Sequence, residues 1–158
     1  MNKRKIIFII LIICWLGIIF YFSSMDTYES NGDSKEVVSV VVDKAIDISN
    51  SSINDNKKED IVNVLNLPIR KFAHFSLYFI LSILFMSFFI SFNKFNLKTI
   101  ILISILLCFI YASTDEFHQT FITGRTGQFS DVIIDTIGAS IGSIIYSIGY
   151  NKLIKKYR

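Results

Sequence analysis

Charge is what this sequence has least of. Charged residues make up 18% of the chain, against roughly 25% in soluble domains. The deficit excludes an ordinary water-solvated globule and fits a chain whose solvent is mostly lipid. A net charge of +3 is too small to argue for nucleic acid as a partner. Cysteine is scarce as well. Cys14 and Cys108 each fall inside a run of Ile and Leu, which reads as small apolar core residues, not as a disulfide or a metal pair. Catalytic signatures are missing: no H-E-x-x-H, G-x-S-x-G or P-loop pattern occurs, and no serine or cysteine stands beside an obvious base. There is no internal repeat and no low-complexity tract. No metal or other cofactor is expected.

Hydrocarbon fills the space that charge leaves. Hydrophobic residues are 52% of the 158, with 15 phenylalanines. Four apolar runs stand out, over 6–22, 72–92, 97–114 and 132–150. Each approaches or meets the roughly 20 residues that cross a bilayer core. The first is longer than the ~7–15 residues of a signal-peptide core, and Ser23-Ser24-Met25-Asp26 follows without an alanine cleavage site. It reads as an uncleaved helix. The expected fold is therefore an all-α integral membrane protein, a four-transmembrane-helix bundle forming one domain over 1–158. Lys and Arg near the span ends set its orientation. Lys3, Arg4 and Lys5, the turn residues Lys94 and Lys98, and Lys152, Lys155, Lys156 and Arg158 all fall on one side. That side, with both termini, is predicted to be cytoplasmic. Arg70, Lys71 and Arg125 then stand on the outer side, against the rule.

The outer loop over 23–71 is long and polar. Val37, Val38, Val41, Val42, Ala45 and Ile46 recur at helical spacing, as do Ile61, Val64, Leu65 and Leu67. Two short amphipathic helices lying on the membrane surface account for both patterns. An unstructured loop accounts for the first nearly as well. Ser49–Asp60 between them reads as polar and mobile. Asn66-Leu67-Pro68 reads as an N-cap with an early-turn proline, which predicts that the second span begins there.

This topology brings a sparse polar set to one depth. Arg70, Lys71 and His74 open span two, and Asp115, Glu116 and Gln119 close span three. Arg125 lies in the loop, and Asp131 and Asp135 open span four. Arg70, His74 and Tyr78 share a helix face, as do Asp115 and Gln119. His118 is expected to point away from that second face. Asp135 lies about 6 Å deeper than Asp131, at roughly 1.5 Å per residue, and so should face the bundle and not lipid. Gly138 and Gly142 continue its stripe as helix-packing positions. Bases at the start of span two and acids at the end of span three oppose their helix dipoles. Pairing across a span two–span three interface would relieve both. Other readings stay open. Arg70-Lys71 also reads as a membrane-interface marker, His74 as a hydrogen-bonded core histidine, Tyr78 as an interface aromatic, Arg125 as loop charge, and the whole set as a structural polar plug.

Two blocks of this set resemble the VanZ-like family of small bacterial membrane proteins. Arg70-Lys71-Phe72-Ala73-His74 through Tyr78 and Leu81 is similar to the family's R-K-x-x-H-x-x-x-Y-x-x-L. Asp115-Glu116-x-x-Gln119, followed by Arg125, Asp131 and Gly138, is similar to D-E-x-x-Q … R … D-x-x-x-N-x-x-G. Phe22-Ser23-Ser24 also fits. The chain departs from the pattern at Met25, where Gln is frequent, at Leu77, where an acid is frequent, and at Asp135, where Asn is usual. The resemblance implies residence in the bacterial cytoplasmic membrane and a cell-envelope role; the family's name member is linked to resistance to the glycopeptide antibiotic teicoplanin. Three functions fit the residues. The first is a module binding an anionic lipid or a lipid-linked cell-wall precursor through Arg70, Lys71 and Arg125. The second is an acid–base or metal-dependent enzyme using His74 with Asp115, Glu116 or Asp131. The third is a small transporter, ranked last because the acids lie near one face and not at the midplane. Besides the bilayer, a homo-oligomer is a further expectation, since small-residue faces support helix association.

Overall fold

The structure is a computed structural model and describes residues 3–25, 27–49 and 53–156. Asp26, residues 50–52 of the Ser49–Asp60 stretch, and Arg158 lie outside the described residues. Five helices and no strand occur among the described residues: α1 Lys3–Ser24, α2 Thr27–Ser49, α3 Asp55–Ile90, α4 Leu97–Gln119 and α5 Phe129–Lys156. Four of them, α1, α3, α4 and α5, are long and apolar enough to cross a membrane. The chain is an all-helical, multi-pass membrane protein. Each expected span falls inside one helix, except that residues 91 and 92 lie in the turn after α3.

The segment over 23–71 differs from expectation. It holds one long helix, α2, and then the first half of α3, in place of two short surface helices. Residues 55–60, expected to be mobile, are helical. The second span does not begin at Pro68, which sits inside α3. Asn66 makes no cap there, and its Oδ1 is buried without a partner. A proline removes one backbone donor from a helix. Packing on both sides of Pro68 outweighs that loss: Val62, Ile61 and Ile69 of α3 close on Val38, Val42 and Ile46 of α2. Lys58 and Asp43 add an ion pair of 2.6 Å across the same α2–α3 contact. Of the apolar residues read as membrane-facing stripes, Val38, Val42, Ile46 and Ile61 thus pack together, while Val37, Val41, Val64 and Leu65 stay exposed.

The turn from α3 to α4 is tight. Asn93 takes φ 53°, a left-handed conformation that Asn adopts more readily than most residues. The Asn96 side chain then caps α4, accepting from Thr99 N at 2.8 Å and from the Thr99 hydroxyl at 2.9 Å.

The main core lies where α3, α4 and α5 meet, around Tyr78, Leu81, Cys108, Ala112, Val132 and Ala139, with Ile19 of α1 inserted. Cys108 is buried as expected; Cys14 is exposed on the outside of α1, contrary to its reading as core, and both thiols are free. Closest approach is between α3 and α5. A Cβ on Gly138 would strike the Phe75 carbonyl, and one on Gly142 would strike Ser82 Oγ and the Phe79 carbonyl. The glycine face is therefore used inside the chain and is not free to join two copies, which removes the argument it gave for an oligomer.

α1 is fastened differently. Trp15 Nε1 donates to the Leu77 carbonyl of α3 at 2.9 Å, and the Tyr111 hydroxyl of α4 donates to the Leu16 carbonyl at 2.8 Å. Lipid tails are as apolar as isoleucine, so burial alone does not hold a helix to its neighbours in a bilayer. Hydrogen bonds to helix carbonyls, which keep a second lone pair free, supply the missing specificity.

Candidate functional site

Every helix that can span the membrane brings polar groups to one end of the bundle. α1 contributes its last carbonyls, α3 contributes Arg70, Lys71 and His74, α4 contributes Asp115, Glu116 and Gln119, and α5 contributes Asp131 and Asp135. Between them lies a cavity of about 200 Å³. Arg70, Lys71, His74, Gln119, Arg125, Asp131 and Asp135 line it, and the loop residues Gly124, Thr126 and Gln128 complete the wall.

The loop over 120–128 reaches this place by a specific path. α4 closes with tight turns, Phe121 N on His118 O and Ile122 N on Gln119 O. Gly124 then takes φ 75°, which a Cβ would resist. That reversal sends Arg125 inward, where it is buried. Its guanidinium donates to the carbonyls of Ser23 at 3.2 Å and Phe22 at 3.4 Å. These belong to the last turn of α1, whose carbonyls have no partner within the helix and carry its negative pole. Arg125 caps α1 from a hundred residues away. Gly127 follows, so close to α4 that a Cβ would strike the Glu116 carbonyl. Gln128 N then donates to Glu116 Oε2 at 2.9 Å, placing a carboxylate at the positive start of α5.

Glu116 also accepts from Gln119 Nε2 at 3.2 Å, and Asp115 from the same amide at 3.4 Å. Ser23 of α1 lies beside Asp115. Across the cavity Lys71 Nζ pairs with Asp131 Oδ1 at 2.6 Å, both side chains about a third exposed. The base of span two is thus matched by span four, not by span three as the dipole argument expected. The reason is the glycine face, which draws α5 closer to α3 than α4 comes.

Three groups at the cavity are left unmatched. Both carboxyl oxygens of Asp135 and Nδ1 of His74 are buried without a hydrogen-bond partner. Arg70 makes no ion pair or hydrogen bond among the described residues. Unmatched buried polar atoms are uncommon and call for a reason. Tyr78 lies below the cavity, fully buried, its hydroxyl also unpartnered; Asp115 and Asp135 are the carboxyls that act on it. His118 faces α1, with its ring 4.9 Å from that of Phe20. Among the described residues, no three of His, Cys, Asp and Glu are gathered so that they could hold one metal ion.

Sequence reasoning missed Thr126 and Gln128 as wall residues and the carbonyls of Phe22 and Ser23 as partners of Arg125. Only the last had a signal in the sequence: any span ending before a polar segment leaves carbonyls to be capped. Comparison with curated proteins gave no match, and neither did comparison with solved structures. The sequence matches the VanZ/LLP1 family over residues 8–150, nearly the whole chain and all four apolar helices, and the chain belongs to that family.

Proposed function

We propose that the cavity binds the phosphate-bearing headgroup of an anionic lipid or lipid-linked cell-wall precursor at the outer face of the bacterial cytoplasmic membrane. The lysines and arginines at the opposite end, with Lys5, Lys94 and Lys98 at or near the termini of α1, α3 and α4, support this orientation. One observation carries the reading. Of the three bases on the cavity, Lys71 is paired with Asp131 and Arg125 is bonded to α1, while Arg70 is unmatched among the described residues. A guanidinium kept unpaired beside a polar cavity suits a phosphate, which it can engage through two parallel hydrogen bonds. Gln119, Gln128 and Thr126 add neutral groups suited to hydroxyls or amides of the same headgroup.

The test is lipid retention. Protein purified in mild detergent should carry anionic phospholipid or precursor that the Arg70→Gln variant loses, with an unchanged melting temperature. Identical lipid content in a folded Arg70→Gln protein would contradict the reading. An envelope role, including any effect on teicoplanin susceptibility, rests on this binding and should vanish with the same variant.

A second reading, acid–base chemistry on the bound headgroup, is favoured by one observation: His74 and Asp135 both face the cavity with unpartnered atoms. Turnover of lipid-linked substrates that is lost in His74→Gln, with binding retained, is its signature. No turnover across such substrates would leave binding as the function.

A further inference from the structure

The polar cavity has an apolar neighbour. Between α1, α2 and α3 lies a groove of about 400 Å³. Trp15 and Phe22 of α1, Val37 of α2, and Ile69, Ala73 and Leu77 of α3 form its walls. Two side chains belong to both spaces: Arg70 and His74 line the groove and the cavity alike. Among the described residues, these are the same two whose polar groups are unmatched, Arg70 without an ion pair and His74 with a buried, unpartnered Nδ1. One acid stands on the groove wall, Asp33 of α2, and it forms no ion pair with Arg70 among the described residues.

An apolar trough that ends at an unpaired cation and continues as a polar chamber has the order of parts of an amphiphile: chain, phosphate, headgroup. We propose that the groove takes the hydrocarbon chain of the same ligand, so that its phosphate sits at Arg70 and His74 and its polar group extends into the cavity. This rests on the headgroup reading above and narrows it. The ligand carries its phosphate between its hydrocarbon and its polar group. A water-soluble phosphate ester fills the chamber alone, and a neutral lipid fills the trough alone.

The two halves contribute differently. A chain that leaves the bilayer for the groove exchanges one apolar surface for another and gains little. The cation supplies affinity, and the groove decides which phosphates reach it.

The chain's only tryptophan is Trp15, so its emission reports on the groove directly. Full-length protein is placed in phosphatidylcholine vesicles containing a minor fraction of phosphatidylglycerol with brominated chains, or the same fraction of brominated diacylglycerol, which is neutral and carries no phosphate. Bromine quenches tryptophan on contact. The anionic lipid is expected to quench several-fold more than the neutral one. Arg70→Gln removes the excess. Ala73→Phe fills the groove from an exposed position on α3 and also removes the excess, without changing charge, while calorimetry still shows glycerol phosphate bound. If Ala73→Phe fails to fold, Val37→Phe blocks the opposite wall. Equal quenching by both lipids, with glycerol phosphate still bound through Arg70, overturns the groove and leaves the headgroup reading standing. No Arg70-dependent binding of either probe overturns the headgroup reading itself.

Discussion

α5 and α1 are both long apolar helices, and they are held by opposite means. α5 offers glycines, a buried acid and an ion pair on one face, and its backbone comes into contact with that of α3 at Phe75 and Phe79. α1 offers no such face. Its apolar residues are exposed on several sides, Ile7, Ile10, Ile13 and Tyr21 among them, and it is tied on by three hydrogen-bonding side chains, one each from α1, α4 and the 120–128 loop. The difference teaches where specificity resides when the solvent is lipid. Close packing needs a face that differs from the lipid it displaces. A helix without one needs polar ties at defined points.

That contrast can be broken from the α5 side first. Gly138→Leu should have the largest effect. Overpacking typically costs about 1–3 kcal/mol, and here the obstruction is the Phe75 backbone, which cannot swing away. Thermal melting in detergent should show a large loss or no folded fraction. A near-normal melt would mean that α5 does not approach α3 in this way.

Arg125→Ala comes next. Hydrogen bonds to charged groups contribute roughly 1.5–3 kcal/mol, and this change also uncaps α1. Melting should fall, and protease should cut the α1–α2 connection faster. Arg125→Lys, which keeps the charge but loses the fork, should recover only part of the loss. Tyr111→Phe removes one neutral tie and should cost roughly 0.5–1.5 kcal/mol, read as a smaller melting shift. Gly17→Ala on α1 sharpens the contrast at the low end. Nothing lies within 4 Å of a Cβ there, so the change should be neutral or stabilising by up to about 1 kcal/mol. Destabilisation at Gly17 comparable to that at Gly138 would erase the distinction between the two helices.

The same contrast explains what could be read from the sequence. α5 was legible because its face is marked: Asp131, Asp135, Gly138 and Gly142 fall on one stripe, and the structure turns that stripe to the cavity and to α3. α1 was legible as a span but not in its placement, since a run such as Ile6-Ile7-Phe8-Ile9-Ile10 looks the same from every side. Pro68 misled because local signals outran tertiary ones; Val62 and Ile69 carry α3 past it by packing on α2. Arg125 was noticed as a base on the unexpected side, but its partners are carbonyls a hundred residues earlier. Carbonyls carry no residue-type signature. Lys71 was expected to meet an acid and did, on α5 and not on α4, because which neighbour comes closer depends on glycines elsewhere.

The central claim is that α3, α5 and the loop before α5 place their polar groups at one end of the bundle, on the outer face of the membrane. Single cysteines test it in a Cys14→Ala, Cys108→Ala background. Leu67→Cys and Gln128→Cys sit on the cavity wall, and Lys94→Cys sits in the turn at the other end of α3. A membrane-impermeant thiol reagent applied to intact cells should label the first two and spare Lys94→Cys until the membrane is opened. Labelling of Leu67→Cys and Gln128→Cys from opposite sides would mean that the cavity does not exist.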